Sequence, residues 1–318
     1  MNVLKASLWG IILAGGEGER LSGFVREQFG SAIPKQFCTF FGRRTMLERT
    51  INRARLLIPP ERLVVSGTVH HDPYILRVLG TPPPCTVVLQ PANRDTAPGI
   101  LLPLIHILRK DPRALVTILP ADHFILPGHR FMRAIAAAAQ FVADKKIDIP
   151  VLLAVKPDRP ESEYGWIKPG QFMKNDDHRI IRQVEQFVEK PLHSQAEHLL
   201  KEGWLWNTMV IVVQAKALMR LVRKRLPDLA SLFTGIQRRL GGPREQDCIE
   251  KVYQTIPKTN FSISFLSDRD VKSLVLPVEN IRWSDWGTKE RILETATTLG
   301  LRVPVPTQMP HVPVTIPA

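Results

Sequence analysis

From residue 8 onward, short apolar runs alternate with longer stretches whose apolar positions recur every three or four residues. Residues 8–14, 62–66, 86–90, 114–119 and 151–155 are apolar, β-branched runs of strand length and predict buried strands. Between them, residues 45–57, 71–79, 97–108 and 131–142 carry helical spacing. This alternation predicts an α/β fold: a Rossmann-like, doubly wound sheet, mixed but mainly parallel, flanked by helices. Ligands are then expected outside the carboxyl ends of the strands.

The second half is less regular. Residues 164–168, 180–189, 209–213, 261–266 and 274–277 read as strands that extend the sheet. Helices are predicted over 194–202, 215–225, 229–239, 244–254 and 288–299. The tail, residues 301–318, is proline-rich without periodicity, which predicts an extended or disordered segment.

Composition narrows the class. The chain has 318 residues, 44% of them hydrophobic and 23% charged, as in ordinary globular proteins. No apolar stretch approaches the roughly 18 to 20 residues needed to span a bilayer. Residues 1–7 lack a signal peptide's apolar region, and 9–14 are too short to supply one, so a cytoplasmic protein without membrane contact is expected. Three widely separated cysteines, Cys38, Cys85 and Cys248, give neither a disulfide framework nor a zinc cluster. The formal charge of +13 gathers around residues 220–225 and 238–244, on helical spacing. These read as solvated helix faces, since no aromatic-interleaved basic strand accompanies them, and nucleic acid is not an expected partner.

Chemistry first appears at the end of the first predicted strand, where Leu13-Ala14-Gly15-Gly16-Glu17-Gly18-Glu19-Arg20 is followed by Pro34-Lys35-Gln36. Glycines let backbone N–H groups close on an anion while the two cations neutralise it, which suits a polyphosphate. Two common phosphate loops are excluded. Position 21 is leucine rather than the third glycine of a dinucleotide fingerprint, and the second strand ends without a carboxylate. No Gly-Lys-Ser/Thr follows the glycines, so this is not a P-loop.

Further polar clusters follow the remaining strands in order. They are Gln90-Pro91-Ala92-Asn93-Arg94-Asp95-Thr96, Pro120-Ala121-Asp122-His123, Glu163-Tyr164-Gly165-Trp166, Phe187-Val188-Glu189-Lys190-Pro191, Trp206-Asn207-Thr208 and Trp283-Ser284-Asp285-Trp286-Gly287. With these motifs the chain resembles the sugar-1-phosphate nucleotidyltransferases, in their mannose-1-phosphate guanylyltransferase branch, over roughly residues 8–295.

The resemblance implies a nucleotide-diphospho-sugar transferase fold over residues 1–300. It also implies a reaction between a nucleoside triphosphate, GTP, and a sugar-1-phosphate, mannose-1-phosphate, giving GDP-mannose and pyrophosphate. Arg20 and Lys35 would neutralise phosphate charge, and Asp122 and Asp285 would hold Mg²⁺ with the phosphates. Either aspartate also fits as a cap for the helix that follows it. Leu13, Ala14, Gly15, Gly16, Gly18, Gln90 and Arg94 would bind the nucleotide, with Gln90 reading the base edge through its amide. Gly165, Glu189, Lys190 and Asn207 would bind the sugar phosphate. His70, His71, His123 and His129 share no metal spacing and read as structural or exposed.

Departures from the family pattern are Glu19 where threonine is usual, a longer path from Arg20 to Lys35, Thr208-Met209 in place of Ser-Gly, and Arg282 in place of glycine. They bear on sugar choice and rate. No fused isomerase or β-helix oligomerisation module is expected, and homodimerisation is left open. A regulatory protein that binds nucleotide-sugars without turnover is the competing class, disfavoured by retention of both cations and both aspartates.

Overall fold

The computed structural model describes residues 7–173, 181–268 and 270–301. The proline-rich tail from residue 302 and the first residue of the 180–189 strand lie outside these residues. The strands are β1 (Leu8–Leu13), β2 (Leu63–Thr68), β3 (Thr86–Gln90), β4 (Leu115–Pro120), β5 (Phe124–Leu126), β6 (Val151–Val155), β7 (Gly165–Phe172), β8 (Arg182–Glu189), β9 (Leu205–Gln214), β10 (Leu274–Val278) and β11 (Arg282–Ser284). Nine of them form one sheet in the order β3-β2-β1-β4-β9-β6-β10-β8-β7, while β5 and β11 form a separate ribbon.

The mainly parallel sheet expected from the alternation is found in one half only; in the other half β6 and β10 alone pair parallel. Strands β3, β2, β1 and β4 are parallel, each reached through a helical crossover. Strand β9 then enters antiparallel between β4 and β6. Beyond it, β7 and β8 follow one another closely in the chain and pair antiparallel, as short connections require. Strand β9 also pairs with β7, so β9, β6, β10, β8 and β7 form a closed circuit of pairings.

Alternation along β1 shows how the sheet separates two cores. Leu8 and Ile12 enter the layer with the Met46–Ala54 and Gly128–Asp144 helices, whereas Trp9 and Ile11 enter the layer with the Thr96–Lys110 helix. Both faces are covered, so β1 is apolar throughout instead of alternating with polar residues. Each fully buried Leu or Ile contributes about 1.5–3 kcal/mol through removal from water. A third, smaller cluster of Phe24, Phe40, Phe41, Phe124 and Trp286 packs the Ser22–Phe29 and Lys289–Leu299 helices beside the carboxyl end of the sheet.

Two elements were not expected, the Ser22–Phe29 helix and the β5–β11 ribbon. The strand expected at 261–266 is instead a π-helical turn, Ser262–Leu266. Its alternation of Phe261, Ile263 and Phe265 reads equally as helical i, i+4 spacing. Side chains decide between the two, because the Thr96 hydroxyl accepts the Phe261 N–H and Asn260 Oδ1 accepts the Ile263 N–H. Phe261 and Phe265 then stack at 4.8 Å inside while Ile263 faces solvent.

The cysteines are free, and two of them are buried. Burial pushes the Cys38 thiol up to about 12, against the opposing pull of Lys35, and the Cys85 thiol up to about 11. Only the thiolate attacks a disulfide reagent. With Ellman's reagent we therefore expect half-buried Cys248 to react in the native protein, and Cys38 and Cys85 only after denaturation. Fast native reaction of all three would contradict this packing.

Candidate active site

The glycine loop leaves β1 at its carboxyl end and is fixed by its carbonyls. Gln36 Nε2 donates to the carbonyls of Ala14 and Gly16, each at 2.8 Å, and Asn93 Nδ2 to that of Gly15 at 3.2 Å. The N–H groups of Gly15, Gly16, Glu17 and Gly18 have no protein acceptor among the described residues. Gly18 sits at φ +69°, and a Cβ there would lie 3.0 Å from the Lys35 nitrogen, so glycine is required on both counts. Leu13, Gly15, Gly16, Gly18, Arg20 and Lys35 border a cavity of about 730 Å³. Glu17 and Glu19 border it too, and the Glu17 carboxylate leans toward buried His71, 3.7 Å away.

Across the cavity stands Asp122; Asp285 does not border it but lies directly behind Lys35 and Gly287, which do. Lys35 is 6% exposed, its Nζ lying 2.8 Å from Asp122 Oδ2 and donating to the backbone carbonyl of Asp285. The Asp285 carboxylate is held more firmly. Its Oδ1 accepts from Tyr164 Oη at 2.9 Å, from the Gly287 N–H at 2.8 Å and from Arg291 at 2.7 Å. Its Oδ2 faces Arg20 at 3.6 Å, while Arg20 also pairs with Glu163 at 2.7 Å. Burial pushes the carboxyl of Asp285 up, but Lys35, Arg291, His123 and the Gly287 N–H outweigh it and hold the pKa below the ordinary value. Asp122 shows the same balance, burial opposed by Lys35 and His123, with a net depression.

Neither aspartate is a helix cap. Thr288 caps the Lys289–Leu299 helix with its hydroxyl, and Pro127 occupies the N-cap of Gly128–Asp144. Arg291 and Tyr164 were not expected here and are what orient Asp285. His123, read from sequence as structural or exposed, is half-buried, lines the cavity and accepts from the Trp283 indole at 3.3 Å. Its position next to Asp122 at the end of β4 was the one signal that pointed to it.

The residues fit a hard cation such as Mg²⁺, which takes one or two carboxylates together with phosphate oxygens and water. Among the described residues, Asp122 Oδ1 and Asp285 Oδ2 carry no hydrogen bond, so each aspartate keeps one oxygen for a ligand. No three-residue metal cluster occurs among the described residues, which leaves the remaining coordination to substrate and water.

On the far side of the loop, Gln90 is buried and lines the cavity. Its Oε1 accepts from Tyr253 Oη at 3.2 Å and its Nε2 donates to the Gly67 carbonyl at 3.3 Å, so it presents an edge already fixed in orientation. Arg94, expected at the base, does not border the cavity; its Nε donates to the Tyr253 carbonyl at 2.9 Å and ties two segments together.

Asn207 and Met209 come from a bulge in β9, where the register against β6 shifts. Met209 lies at φ +58°, a left-handed conformation that costs a non-glycine residue about 1–2 kcal/mol.

Gly165, Glu189 and Asn207 meet at one point beside the cavity. A Cβ on Gly165 would lie 2.8 Å from the Phe187 ring, 2.9 Å from Glu189 Oε2 and 3.4 Å from the Asn207 Cβ. Burial raises the Glu189 pKa, with Lys190 opposing. Lys190 is exposed, 4.0 Å from Glu163. Gly165→Ala overpacks this point at a cost of about 1–3 kcal/mol. We expect the KM for sugar phosphate to rise about tenfold or more with the nucleotide KM unchanged. An unchanged sugar-phosphate KM would remove this cluster from the site.

The Nucleotidyl transferase family matches residues 9–300. The xanthan biosynthesis protein XanB of Xanthomonas campestris is 28% identical over 292 residues, covering 90% of this chain and 59% of that protein. A mannose-1-phosphate guanylyltransferase of Klebsiella pneumoniae is 33% identical over 222 residues, covering 69% of this chain and 45% of its own length. The chain thus spans less than two thirds of these curated relatives. A crystal structure titled mannose-1-phosphate geranyltransferase, from Thermus thermophilus, superposes with a TM-score of 0.77 at 27% identity, covering 90% of this chain and 79% of that one. The family match covers nearly the whole described chain, and the protein belongs to the nucleotidyl transferases.

Proposed function

We propose that the chain joins a nucleoside triphosphate, GTP, to a hexose-1-phosphate, mannose-1-phosphate, releasing pyrophosphate. The observation that carries this reading is the convergence of the glycine loop, whose four N–H groups are unpaired among the described residues, with Arg20, Lys35 and Asp122 on one cavity, and with Asp285 held against Arg20 and Lys35 just behind its lining. Guanine and mannose rest on the names of the relatives, which include mannose-1-phosphate guanylyltransferases.

In this reaction an oxygen of the sugar phosphate attacks the α-phosphorus, and the bond from that phosphorus to the bridging β-oxygen breaks. The electron pair leaves with pyrophosphate, and no proton need be transferred. Such transfers depend on positioning and charge neutralisation more than on covalent help. The loop N–H groups and Arg20 would hold the departing phosphates, and Lys35 would draw the two reacting phosphates together against their repulsion. Asp122 and Asp285 would hold Mg²⁺, which when bound neutralises phosphate charge. Asp285 is oriented for this by Tyr164, Gly287 and Arg291. Nucleoside triphosphates and free thiols both fit a reducing, cytosolic setting.

The test is a matrix of nucleoside triphosphates against hexose-1-phosphates with Mg²⁺, read by pyrophosphate release. Release from GTP and mannose-1-phosphate is expected. Activity with UTP or dTTP and glucose-1-phosphate, and none with GTP, would overturn the choice of base and sugar. Tight nucleotide binding without release from any pair would favour a sensor instead.

A further inference from the structure

Met209 is strained, yet it is held in place from both ends. Asn207 Oδ1 accepts the Met209 N–H at 3.1 Å. The Thr208 hydroxyl donates to the Leu153 carbonyl at 2.6 Å and accepts the Val210 N–H at 3.3 Å. These side-chain bonds replace ladder bonds lost at the bulge and fix its left-handed residue. At the far end, the Ser262 hydroxyl donates to the Met209 thioether at 3.4 Å. Ser262 is itself buried on the π-helical turn, whose entry is tied to the Thr96 hydroxyl. A methionine is ordinarily an adaptable gap-filler, but this one is pinned.

Its position gives the pinning a purpose. Met209 lines the cavity together with Asp95, Thr96 and Gly99. Two residues away on the same bulge, Asn207 faces Gly165 beside Glu189. Met209 is thus the cavity-lining residue of the bulge whose Asn207 joins that cluster.

Resting on the function proposed above, we propose that Met209 is a specificity-determining residue for the sugar-1-phosphate. It admits hexose rings that carry only hydroxyls and rejects acetamido-hexose-1-phosphates. The thioether is at most a weak acceptor, so an amide pressed against it loses water without gaining a partner. Being tied at both ends, the side chain cannot swing aside to make room.

The experiment compares wild type, Met209→Gly and Met209→Leu, with mannose-1-phosphate and N-acetylmannosamine-1-phosphate and the triphosphate that the wild type uses. Glycine adopts the left-handed conformation without strain, so that variant is expected to fold. Wild type should favour mannose-1-phosphate in kcat/KM. Met209→Gly should shrink that preference at least tenfold by gaining the acetamido substrate, and Met209→Leu should keep it. An unchanged ratio in Met209→Gly, or a wild type that accepts both sugars equally, would overturn the assignment of Met209 alone. No pyrophosphate release by wild type from any pair would sink the proposed function and this inference with it.

Discussion

Replacing Lys35 by alanine is expected to lower turnover on the order of a hundredfold or more, because one preorganised charge-stabilising group typically contributes roughly 3–4 kcal/mol to a transition state. The geometry sharpens the expectation. Lys35 is buried between Asp122 and the backbone of Asp285, so no water takes over its charge when it is removed. Its own backbone abuts Gly18, which couples it to the loop that would hold the phosphates. Steady-state kinetics by pyrophosphate release give the measurement, with the denaturation midpoint of the variant as the control for folding. Turnover near the wild-type level would remove Lys35 from the mechanism.

Arg291→Met is expected to destabilise the fold by about 3–5 kcal/mol, the usual consequence of removing one partner from a buried ion pair. Arg291 bonds Asp285 and Glu161, each at 2.7 Å, and lies over the Tyr164 ring at 4.6 Å. Both carboxylates are largely buried, at 13% and 14% side-chain exposure, so each would lose its nearest cation: Asp285 would keep Tyr164, the Gly287 N–H and Arg20 at 3.6 Å, and Glu161 the Glu163 N–H and Arg159 at 3.9 Å. Denaturant unfolding measures the loss. A triple variant that also carries Glu161→Gln and Asp285→Asn should recover part of the stability while remaining inactive. A midpoint unmoved by Arg291→Met would mean that the triad of charges contributes nothing to the fold.

The parallel half of the sheet was legible in sequence because its strands are buried on both faces and stand out as unbroken apolar runs. Arg20 in the loop after β1 and Asp122 after β4 were legible because they follow strands of the open sheet, where ligands collect. Lys35, beyond a helix, and Asp285, after a ribbon strand no period betrays, were legible only through the order of motifs that carries the family resemblance. Arg291 was not, since on a helix it looks like any surface arginine until Asp285 is brought to it. His123, read as structural or exposed, packs against Trp283 as a structural residue would, but its place on the cavity wall beside Asp122 was not read from the sequence. Arg94 shows the converse failure: a cation inside a phosphate-site motif that spends its Nε on the Tyr253 carbonyl. At 261–266, periodicity could not separate strand from helix over so few residues. The ribbon strands β5 and β11 are three residues each, too short for any period to register.

That ribbon governs when the site comes into existence. Ser284 pairs with Phe124, so the two strands set Asp285 beside Asp122 across more than half of the chain's length. A ribosome that has released only the first 281 residues has made the glycine loop, Lys35 and one aspartate, but not the second. Closing so long a loop is slow compared with local helix formation, and domains tend to fold as whole units. The proposed site therefore lacks its second aspartate until the β11 segment has been made and pairs with β5.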